Sequence, residues 1–339
     1  MKLVSYKEED REKLGLYIEG ILYNACAAAR HYGIEEFPNT MALLLEAGVE
    51  KLNALKEVNQ LLKVNGIVTT LRAGSDAVML APVPHPTSVR DAYAFRNHVA
   101  AARQNRNQNL LPEFDQFPVF YFSNHNAVVG PGPVYCMRDH FEELDFELEV
   151  AVVIGQEVKN IKAGEADACI AGYLIMNDLS ARTLQREEML FHLGPAKGKD
   201  FATVTGPWLV TPDELEPYRV PTKEGHTGVQ YNLKMQCWVN GLQVSEGNMA
   251  DMDWTFAEII ERCSYGVQLF PGDIIGSGTV GTGCFLELNG TGLKNDPNFK
   301  VQWLQPGDVV EMEVTGLGRL INTIKSTGEN HSILALKKS

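Results

Sequence analysis

The sequence predicts a β-rich α+β protein with a small α+β domain at its N-terminus. Short runs of apolar or alternating residues, typical of strands, recur along most of the chain. Helical patterns are few after the first 75 residues, and strands and helices do not alternate as regular βαβ units. The 339 residues suffice for one large domain with a small appendage. We therefore expect a mostly antiparallel or mixed sheet.

The first segment, residues 1–75, is predicted to form the small α+β domain. The runs LVSY and LGLYIEGILY suggest a hairpin, and MALLLEAGVEKLNALKEVNQLL has apolar residues at helical spacing. The next segment, IVTTLRAGSDAVMLAPVPHPTSVRD, contains Gly, Ser and three prolines, which mark a change of composition near residue 75. Residues 76–339 are therefore predicted to form the β-rich domain.

Strands dominate the predicted second domain. The candidate strands are PVFYF, DFELEVAVVIG, CIAGYLIMNDLS, WLVTP, YNLKMQCWVNGLQV, DIIGSG, CFLELNG and DVVEMEV. Asn240-Gly241 between two apolar runs predicts a tight hairpin. Helices are expected over residues 91–106, 181–191 and 255–262.

Composition and charge argue against several classes of protein. The 30 basic and 43 acidic residues give a formal charge of −13, which disfavours nucleic acid or an anionic membrane as partner. No apolar run is long enough to span a bilayer, and MKLVSYKEEDREK lacks the apolar region of a signal peptide. The six cysteines are scattered without a CxxC pair, which predicts reduced thiols in a cytoplasmic protein.

Two glycine-rich motifs suggest nucleotide binding, but their contexts disfavour it. GSGTVG matches G-x-G-x-x-G, yet the following TGCFLELNG is expected to be a strand, so no helix N-terminus would receive a pyrophosphate. GPAKGKD is similar to a Walker loop, but the glycine spacing is short and Asp200 replaces the Ser or Thr that binds magnesium. We therefore predict no nucleotide site at either motif.

Acidic residues give a stronger signal. Glu147 and Glu149 in DFELEVAVVIG share one face of a strand, with their roots about 6–7 Å apart. An isolated pair of this kind usually lies on a solvated face, but here a run that is apolar on both faces follows it. Asp178 ends another apolar strand. Three carboxylates form an all-oxygen set, which suits Mg²⁺, Mn²⁺ or Ca²⁺ and not zinc.

Basic and polar residues follow the acidic set along the chain. Arg182 and Gln185 are three apart on a predicted helix and therefore share a face, and Lys199 lies in a glycine-rich loop. Cations near the carboxylates favour an active site over a calcium site of purely structural role.

One histidine is a candidate general base. Asp91 and His98 are seven residues apart, which predicts two turns along one helix face. A histidine acts as a general base only when a partner fixes its tautomer and stabilises its cationic form. Glu287 is a candidate for that partner, although the sequence alone cannot bring it near.

The chain resembles the fumarylacetoacetate hydrolase superfamily over roughly residues 82–324. The motifs that carry the resemblance are DFELEVAVVIG, GYLIMNDLSARTLQ, LGPAKGKDFATVTGPWLV, VNGLQVSEGNMADM, SGTVGTG and PGDVVEMEVTGLGRLINTI. The resemblance implies a β-rich roll as catalytic domain, a homodimer, and a divalent metal bound by Glu147, Glu149 and Asp178. Asp91 occupies the position of a further metal-site aspartate in the founding hydrolase branch.

The resemblance also implies roles in catalysis and substrate binding. His98 and Glu287 fall on the pair that activates water in the founding branch. The residues that match its electrostatic stabilisers are Arg182, Gln185 and Lys199. Substrate-binding positions match less completely: Met189 replaces a second substrate tyrosine, and the remaining candidates are Tyr121, Arg103 or Arg106, and Thr279.

We hypothesise metal-assisted hydrolysis of a carbon–carbon bond in a β-diketo acid, with Mg²⁺ favoured over Mn²⁺ or Ca²⁺. The alternative is decarboxylation, tautomerisation or hydration of a small keto acid through the same enolate. A non-catalytic protein whose carboxylates bind Ca²⁺ is a third interpretation. Residues 95–111, which carry His98 and few apolar side chains, are predicted to form a mobile lid.

Overall fold

The computed structural model describes residues 1–105 and 107–338 and confirms a β-rich α+β fold. In chain order the strands are β1 Lys2–Glu8, β2 Arg11–Ile18, β3 Ile21–Asn24, β4 Val78–Met79, β5 Val89–Ala92, β6 Phe120–Ser123, β7 Val128–Val129, β8 Gly132–Cys136, β9 Leu144–Asp145, β10 Leu148–Ile154, β11 Val158–Lys159, β12 Ile170–Asp178, β13 Ser180–Ala181, β14 Thr203–Val210, β15 Arg219–Val220, β16 Gln230–Tyr231, β17 Lys234–Val239, β18 Leu242–Asn248, β19 Gln268–Leu269, β20 Ile274–Gly276, β21 Val309–Val314 and β22 Gly318–Ser326. The α-helices are α1 Ala25–His31, α2 Met41–Glu46, α3 Gly48–Asn65, α4 Arg96–Gln104, α5 Ala163–Ala166, α6 Arg182–Met189, α7 Phe256–Ser264 and α8 Phe285–Asn295.

A large mixed sheet forms the centre of the molecule. Within the described residues it has 11 strands, and its main path runs β3-β2-β1-β14-β12-β10-β20-β5-β6. Most neighbours are antiparallel, but β5 pairs with β20 and β7 pairs with β14 in parallel. A second, five-stranded sheet has the order β18-β17-β21-β22-β8. The prediction of a mixed β architecture is therefore confirmed.

Strand β10 is buried on both faces because a layer covers each side of the large sheet. Val150, Val152 and Ile154 pack in the core shared with the second sheet. Ala151 and Val153 point the other way, into the core shared with helices α1, α2 and α3. Alternating side chains of a strand reach opposite faces, so two covered faces require a continuous apolar run.

The N-terminal segment joins the large sheet directly. The predicted hairpin is confirmed, since β1 pairs with β2 over six residue pairs and β2 pairs with β3. Strand β1 also pairs with β14, with Lys2 opposite Val210 and Leu3 opposite Leu209. These strands therefore extend the main sheet, and the domain boundary near residue 75 stays a prediction.

Two local predictions are wrong, and both concern elements of the candidate site. The helix predicted over 91–106 is a buried strand, Val89–Ala92, followed by Arg96–Gln104 as helix α4. Pairing with β20 and β6 makes the first part extended, so Asp91 and His98 do not share a helix face. The strand predicted in CFLELNG is the start of helix α8. Its short apolar alternation fits either element, and the helix continues to Asn295.

The Asn-Gly hairpin is confirmed. Asn240 and Gly241 have φ values of 52° and 78°, and they join β17 to β18. Both residues tolerate positive φ, which matches the twist of a two-residue hairpin turn. None of the described helices is both long enough and apolar enough to cross a membrane.

The loop before Lys199 approaches helix α6 closely at a glycine. A Cβ added at Gly198 would lie 2.5 Å from the Cβ and 2.6 Å from the Cα of Gln185. Backbone atoms of a helix cannot give way as a flexible side-chain end can. Glycine at 198 therefore sets the distance between this loop and α6.

We expect Gly198→Ala to lower the free energy of unfolding by about 1–3 kcal/mol, the usual cost of overpacking. Urea denaturation measures the loss. Gly164→Ala is the control, because a Cβ there meets nothing within 4 Å and the residue lies in helix α5. Equal stability of Gly198→Ala and wild type would contradict the close approach.

Candidate active site

Four acidic side chains converge at neighbouring strands of the large sheet. Asp91 lies in β5, Glu149 in β10, Asp178 at the end of β12, and Glu147 immediately before β10. One carboxylate oxygen of each lies within 4.8 Å of the others, and all four residues are buried. The strand order β12-β10-β20-β5 brings them together from distant parts of the sequence. The structure thus places all four predicted acidic residues in one acidic cluster.

A glycine lies against two of these carboxylates. Strand β20 lies between β10 and β5 and presents Gly276 to the cluster. A Cβ at this position would lie 2.5 Å from Asp91 Oδ1 and 3.0 Å from Glu149 Oε2. Any larger residue would push the two acids apart.

Lys199 is the first cation in contact with the cluster. Its buried ammonium group donates hydrogen bonds to Glu147 Oε2 and, at 2.6 Å, to Asp178 Oδ2. The hydroxyl of Tyr121 donates to the same oxygen of Asp178. The structure therefore brings the predicted lysine and tyrosine to the predicted acidic residues.

Arg182 is the second cation. Its Nη2 donates to Glu147 Oε1 at 2.7 Å and to Asp145 Oδ2 at 2.7 Å. Its Nη1 donates to Gln185 Oε1 at 3.0 Å, as expected for residues three apart on a helix. The short pairing of β13 with β9, which sets Ser180 opposite Asp145, brings the start of α6 to this point.

The charges of this region do not balance within the described residues. Five buried carboxylates contact one another or two buried cations, Lys199 and Arg182. Glu149 Oε2 and Asp178 Oδ1 are buried without a hydrogen-bond donor in the described part of the chain. Buried carboxylate oxygens normally have such a partner. An all-oxygen set with unpartnered oxygens fits a hard divalent cation.

The pKa values of the acids reflect the same imbalance. Burial and then the neighbouring carboxylates raise the pKa of Asp91 to about 8 and that of Glu149 well above its usual range. Burial also acts to raise the pKa of Glu147, but the charges of Lys199 and Arg182 outweigh it and lower the value to about 2. Without a further cation, Asp91 therefore holds a proton near neutral pH, and the protonated form of Glu149 is favoured as well.

His98 and Glu287 form a buried pair beside the cluster. His98 Nδ1 lies 2.7 Å from Glu287 Oε2, although the residues are 189 apart in sequence. Glu287 Oε1 accepts the backbone N–H of Thr282 at 2.9 Å. A carboxylate at Nδ1 favours the tautomer with its proton there, which leaves Nε2 as the acceptor. Asn105 connects the two helices by donating to the backbone oxygen of Glu287.

The glycine-rich loop between β20 and α8 contacts both the cluster and the histidine pair. The N–H of Gly278 donates to Asp91 Oδ1 at 3.0 Å, and Thr279 Oγ1 donates to Glu149 Oε1 at 3.3 Å. Farther along the same loop, Thr282 holds Glu287. A charge on His98 also lowers the pKa of Glu147. The two groups therefore belong to one site.

The reason for rejecting a dinucleotide site at GSGTVG was wrong, since this loop does lead into a helix. The first turn of α8 is nevertheless already bound. Asp145 accepts the backbone N–H groups of Phe285 at 2.7 Å and Leu286 at 2.9 Å. A pyrophosphate would therefore meet a buried carboxylate at the helix N-terminus, and this contact still argues against nucleotide binding at the motif.

The predicted substrate arginines are not brought to the acidic cluster by any contact in the described residues. Arg103 lies near the end of α4, and its Nε donates to the backbone oxygen of Asn109. Arg106 lies outside the described residues. Met189 is exposed at the end of α6. The mobile lid stays a prediction, although His98 and Val99 within it are buried.

Asp145 and Cys284 are site residues that the sequence analysis missed. Asp145 precedes Glu147 by two positions, so strand alternation could have placed it on the same face. Cys284 caps α8 by accepting the N–H of Glu287 at 3.5 Å, and its sulfur lies within 4.8 Å of ligand atoms of His98 and Glu287. Cys284 was not recognised as a helix cap because the sequence analysis assigned CFLELNG to a strand.

Comparisons with known proteins find a matching family and several similar chains. The family model described as fumarylacetoacetate (FAA) hydrolase C-terminal matches residues 87–325. The mitochondrial oxaloacetate tautomerase FAHD2A of Homo sapiens is 31% identical over 290 residues, which are 85% of this chain and 80% of that protein.

Two solved structures share the fold. A fumarylacetoacetate hydrolase from Exiguobacterium antarcticum has a TM-score of 0.68 at 23% identity, covering 96% of this chain and 99% of its own. A maleylpyruvate hydrolase from Sphingobium sp. SYK-6, in complex with manganese (II) ion and pyruvate, has a TM-score of 0.65 at 19% identity and the same coverages. The matched family model and the human relative together show that this chain belongs to the fumarylacetoacetate hydrolase family of enzymes.

Proposed function

We propose that this protein is a divalent-metal-dependent hydrolase that cleaves a carbon–carbon bond in a small β-diketo acid, such as an acylpyruvate. The observation that carries the proposal is the buried His98–Glu287 pair beside the acidic cluster. Such a pair can activate water, which hydrolysis requires and simple enolisation does not. The maleylpyruvate and fumarylacetoacetate hydrolases that share this fold support the substrate class.

The metal ligands in this proposal are Glu147, Glu149 and Asp178, with Asp91 binding directly or through water. Mg²⁺ is the favoured ion because the ligand set is all oxygen, and the manganese complex of the Sphingobium hydrolase supports a divalent cation. When bound, the cation supplies positive charge that orients and polarises the keto-acid oxygens of the substrate.

His98 is the proposed general base. Its Nδ1–H faces Glu287, so Nε2 is the atom that takes a proton from water. The carboxylate of Glu287 stabilises the imidazolium that forms and fixes the ring orientation. Thr282 and the N-terminal turn of α8 hold Glu287 in place.

The proposed cleavage has two stages, attack by water and then rupture of the carbon–carbon bond. The water oxygen bonds to the acyl carbonyl carbon, and its proton passes to His98. The tetrahedral intermediate then breaks the bond between the acyl carbon and the methylene carbon of the pyruvyl group. The electron pair leaves on the pyruvate enolate, which takes the proton held by His98 at the methylene carbon to give pyruvate and leaves the imidazole neutral again. The other product is the carboxylic acid of the acyl group.

Cationic and polar residues stabilise the negative charge of the tetrahedral intermediate in this mechanism. The proposed stabilisers are Lys199, Arg182 and Gln185, which lie together beside Glu147. Buried donors act strongly because water does not compete for the same charge. The proposed substrate contacts are Tyr121, Thr279, and Arg103 or Arg106.

Tautomerisation of oxaloacetate is the second candidate function. The observation that favours it is the 31% identity with the human oxaloacetate tautomerase over most of both chains. This reaction moves a proton between carbon and oxygen of the same keto acid and consumes no water. The same carboxylates and cations would stabilise the enolate.

The homodimer and the cytoplasmic location stay predictions.

Loss of one carboxylate should weaken metal binding. We expect Glu149→Gln to reduce the affinity for Mg²⁺ at least about 10-fold, because a fully buried ligand charge disappears. Isothermal titration calorimetry measures the affinity. Asp167→Asn is the control, since Asp167 is a half-buried acid with a raised pKa outside the cluster. Unchanged Mg²⁺ affinity in Glu149→Gln would refute the ligand assignment.

Metal binding should also release protons. Asp91, with a pKa of about 8, is protonated in the metal-free protein at neutral pH, and burial raises the pKa of Glu149 well above its usual range, which favours its protonated form. A cation displaces these protons, so affinity rises from about pH 6 to about pH 9 as the competing protons leave. Calorimetry in two buffers of different ionisation enthalpy counts the protons. Binding without proton release would contradict the raised pKa values.

Replacement of His98 should separate the two functions. We expect His98→Ala to lower kcat for an acylpyruvate by about 10²–10⁴-fold, the usual contribution of a positioned general base. Mg²⁺ affinity should remain, because His98 is not a proposed ligand. His98→Ala combined with Glu287→Gln should lose little more than either variant alone, as expected of two residues that act as one unit.

The matched control is His226→Ala. His226 Nδ1 lies 3.0 Å from Glu258 Oε2, so this variant breaks a second histidine–glutamate pair outside the site. Its kcat should stay near the wild-type value. Robust acylpyruvate hydrolysis in His98→Ala would overturn the general-base assignment, and turnover of oxaloacetate alone would favour the tautomerase.

A further inference from the structure

We propose that Asp145 is a positioning residue: it fixes the distance between Arg182, beside the acidic cluster, and helix α8, which carries Glu287. The catalytic consequence of this role rests on the proposed function. The contacts of Asp145 do not depend on it.

The carboxylate of Asp145 is fully buried and accepts hydrogen bonds from two sides. From one side, Nε and Nη2 of Arg182 donate to Oδ2 at 2.9 and 2.7 Å. From the other side, the backbone N–H of Phe285 donates to Oδ1 at 2.7 Å and that of Leu286 donates to Oδ2 at 2.9 Å. Four donors therefore depend on one side chain.

These contacts join the two halves of the site. Arg182 also donates to Glu147, and the third residue of α8 is Glu287, which holds His98. One buried path of contacts therefore runs through Glu147, Arg182, Asp145, Phe285, Glu287 and His98. A shift at Asp145 would move the base relative to the acidic cluster.

Only a carboxylate meets both demands. It carries the negative charge that favours the N-terminus of a helix and accepts two donors of a guanidinium group. An asparagine of the same shape would turn its NH₂ group toward at least one of these donors. Among the described residues, Glu147 would then be the one carboxylate left to Arg182, which would compete with a cation for that ligand.

If Asp145 had a purely structural role, its replacement would lower stability alone. Asp273 provides a matched comparison for this alternative. Asp273 is also buried, and it accepts from Arg90 at 3.4 Å and from the backbone N–H of Phe270 at 3.1 Å. Its arginine directly precedes Asp91 in β5, but the guanidinium group stacks over the ring of Phe122 and, within the described residues, forms no ion pair with the acidic cluster. Asp273→Asn therefore breaks a similar buried pair outside the path.

The experiment compares Asp145→Asn with Asp273→Asn in the 339-residue chain. Both variants should lower the melting temperature. We expect only Asp145→Asn to reduce Mg²⁺ affinity at least about 10-fold and kcat by about 10²-fold, the effect of a misplacement of about 1 Å. The substrate is an acylpyruvate or oxaloacetate, whichever the wild type turns over. Only Asp145→Asn should shift the ¹⁵N resonances of the His98 ring, identified by their loss in His98→Ala.

Similar losses of stability in both variants, with wild-type Mg²⁺ affinity, kcat and His98 resonances, would overturn the positioning role. If Asp145→Asn does not fold, Asp145→Glu replaces it, because it keeps the charge and lengthens the side chain by one methylene. Reduced kcat in that variant supports the role, and wild-type kcat opposes it. If the wild-type protein turns over neither substrate, the proposed function fails, and Mg²⁺ affinity and the His98 resonances alone test Asp145.

Discussion

The concentration of buried negative charge at the ends of β10 and β12 is the constraint on which the rest of the site depends. Two unit charges 4 Å apart repel by about 4 kcal/mol at an effective dielectric constant of 20. The whole stability of a folded protein is only about 5–15 kcal/mol. Five such carboxylates therefore require compensation, and Lys199 and Arg182 provide two positive charges. A divalent cation, or protons on Asp91 and Glu149, would offset two of the three remaining negative charges.

This constraint accounts for features of the fold that packing alone would not require. Gly276 leaves room between two acids at a position where a β-branched residue would fit the strand better. Gly198 allows the loop before Lys199 to lie against α6, and the lysine then reaches the cluster. At both positions the absence of a side chain allows charged groups to come into contact. We therefore infer that the site, and not the packing of the fold, requires glycine at these two positions.

The sequence predicted the parts of the site that depend on local alternation, and it failed where long-range pairing decides. Glu147 and Glu149 on one strand face, and Arg182 beside Gln185 on one helix, follow from spacing alone. Asp91 was misplaced on a helix because its short segment becomes extended only through pairing with β20 and β6. CFLELNG was misread because four alternating residues fit a strand as well as a buried helix face. The contact of His98 with Glu287, across 189 positions, leaves no local signal.

Hydrolysis and tautomerisation both require stabilisation of an enolate charge. They differ in whether water or a substrate carbon lies next to His98. Both reactions need a keto acid bound where the charge of its enolate is stabilised. A cation in the acidic cluster, together with Lys199 and Arg182, can stabilise that charge. Hydrolysis also needs a water molecule between His98 Nε2 and the distal carbonyl carbon. A tautomerase instead needs the substrate carbon in that place and must exclude water. Since Glu287 fixes the ring from the Nδ1 side, the difference between the two reactions lies in the space on the Nε2 side. The residues that line this space therefore decide which reaction the common site performs.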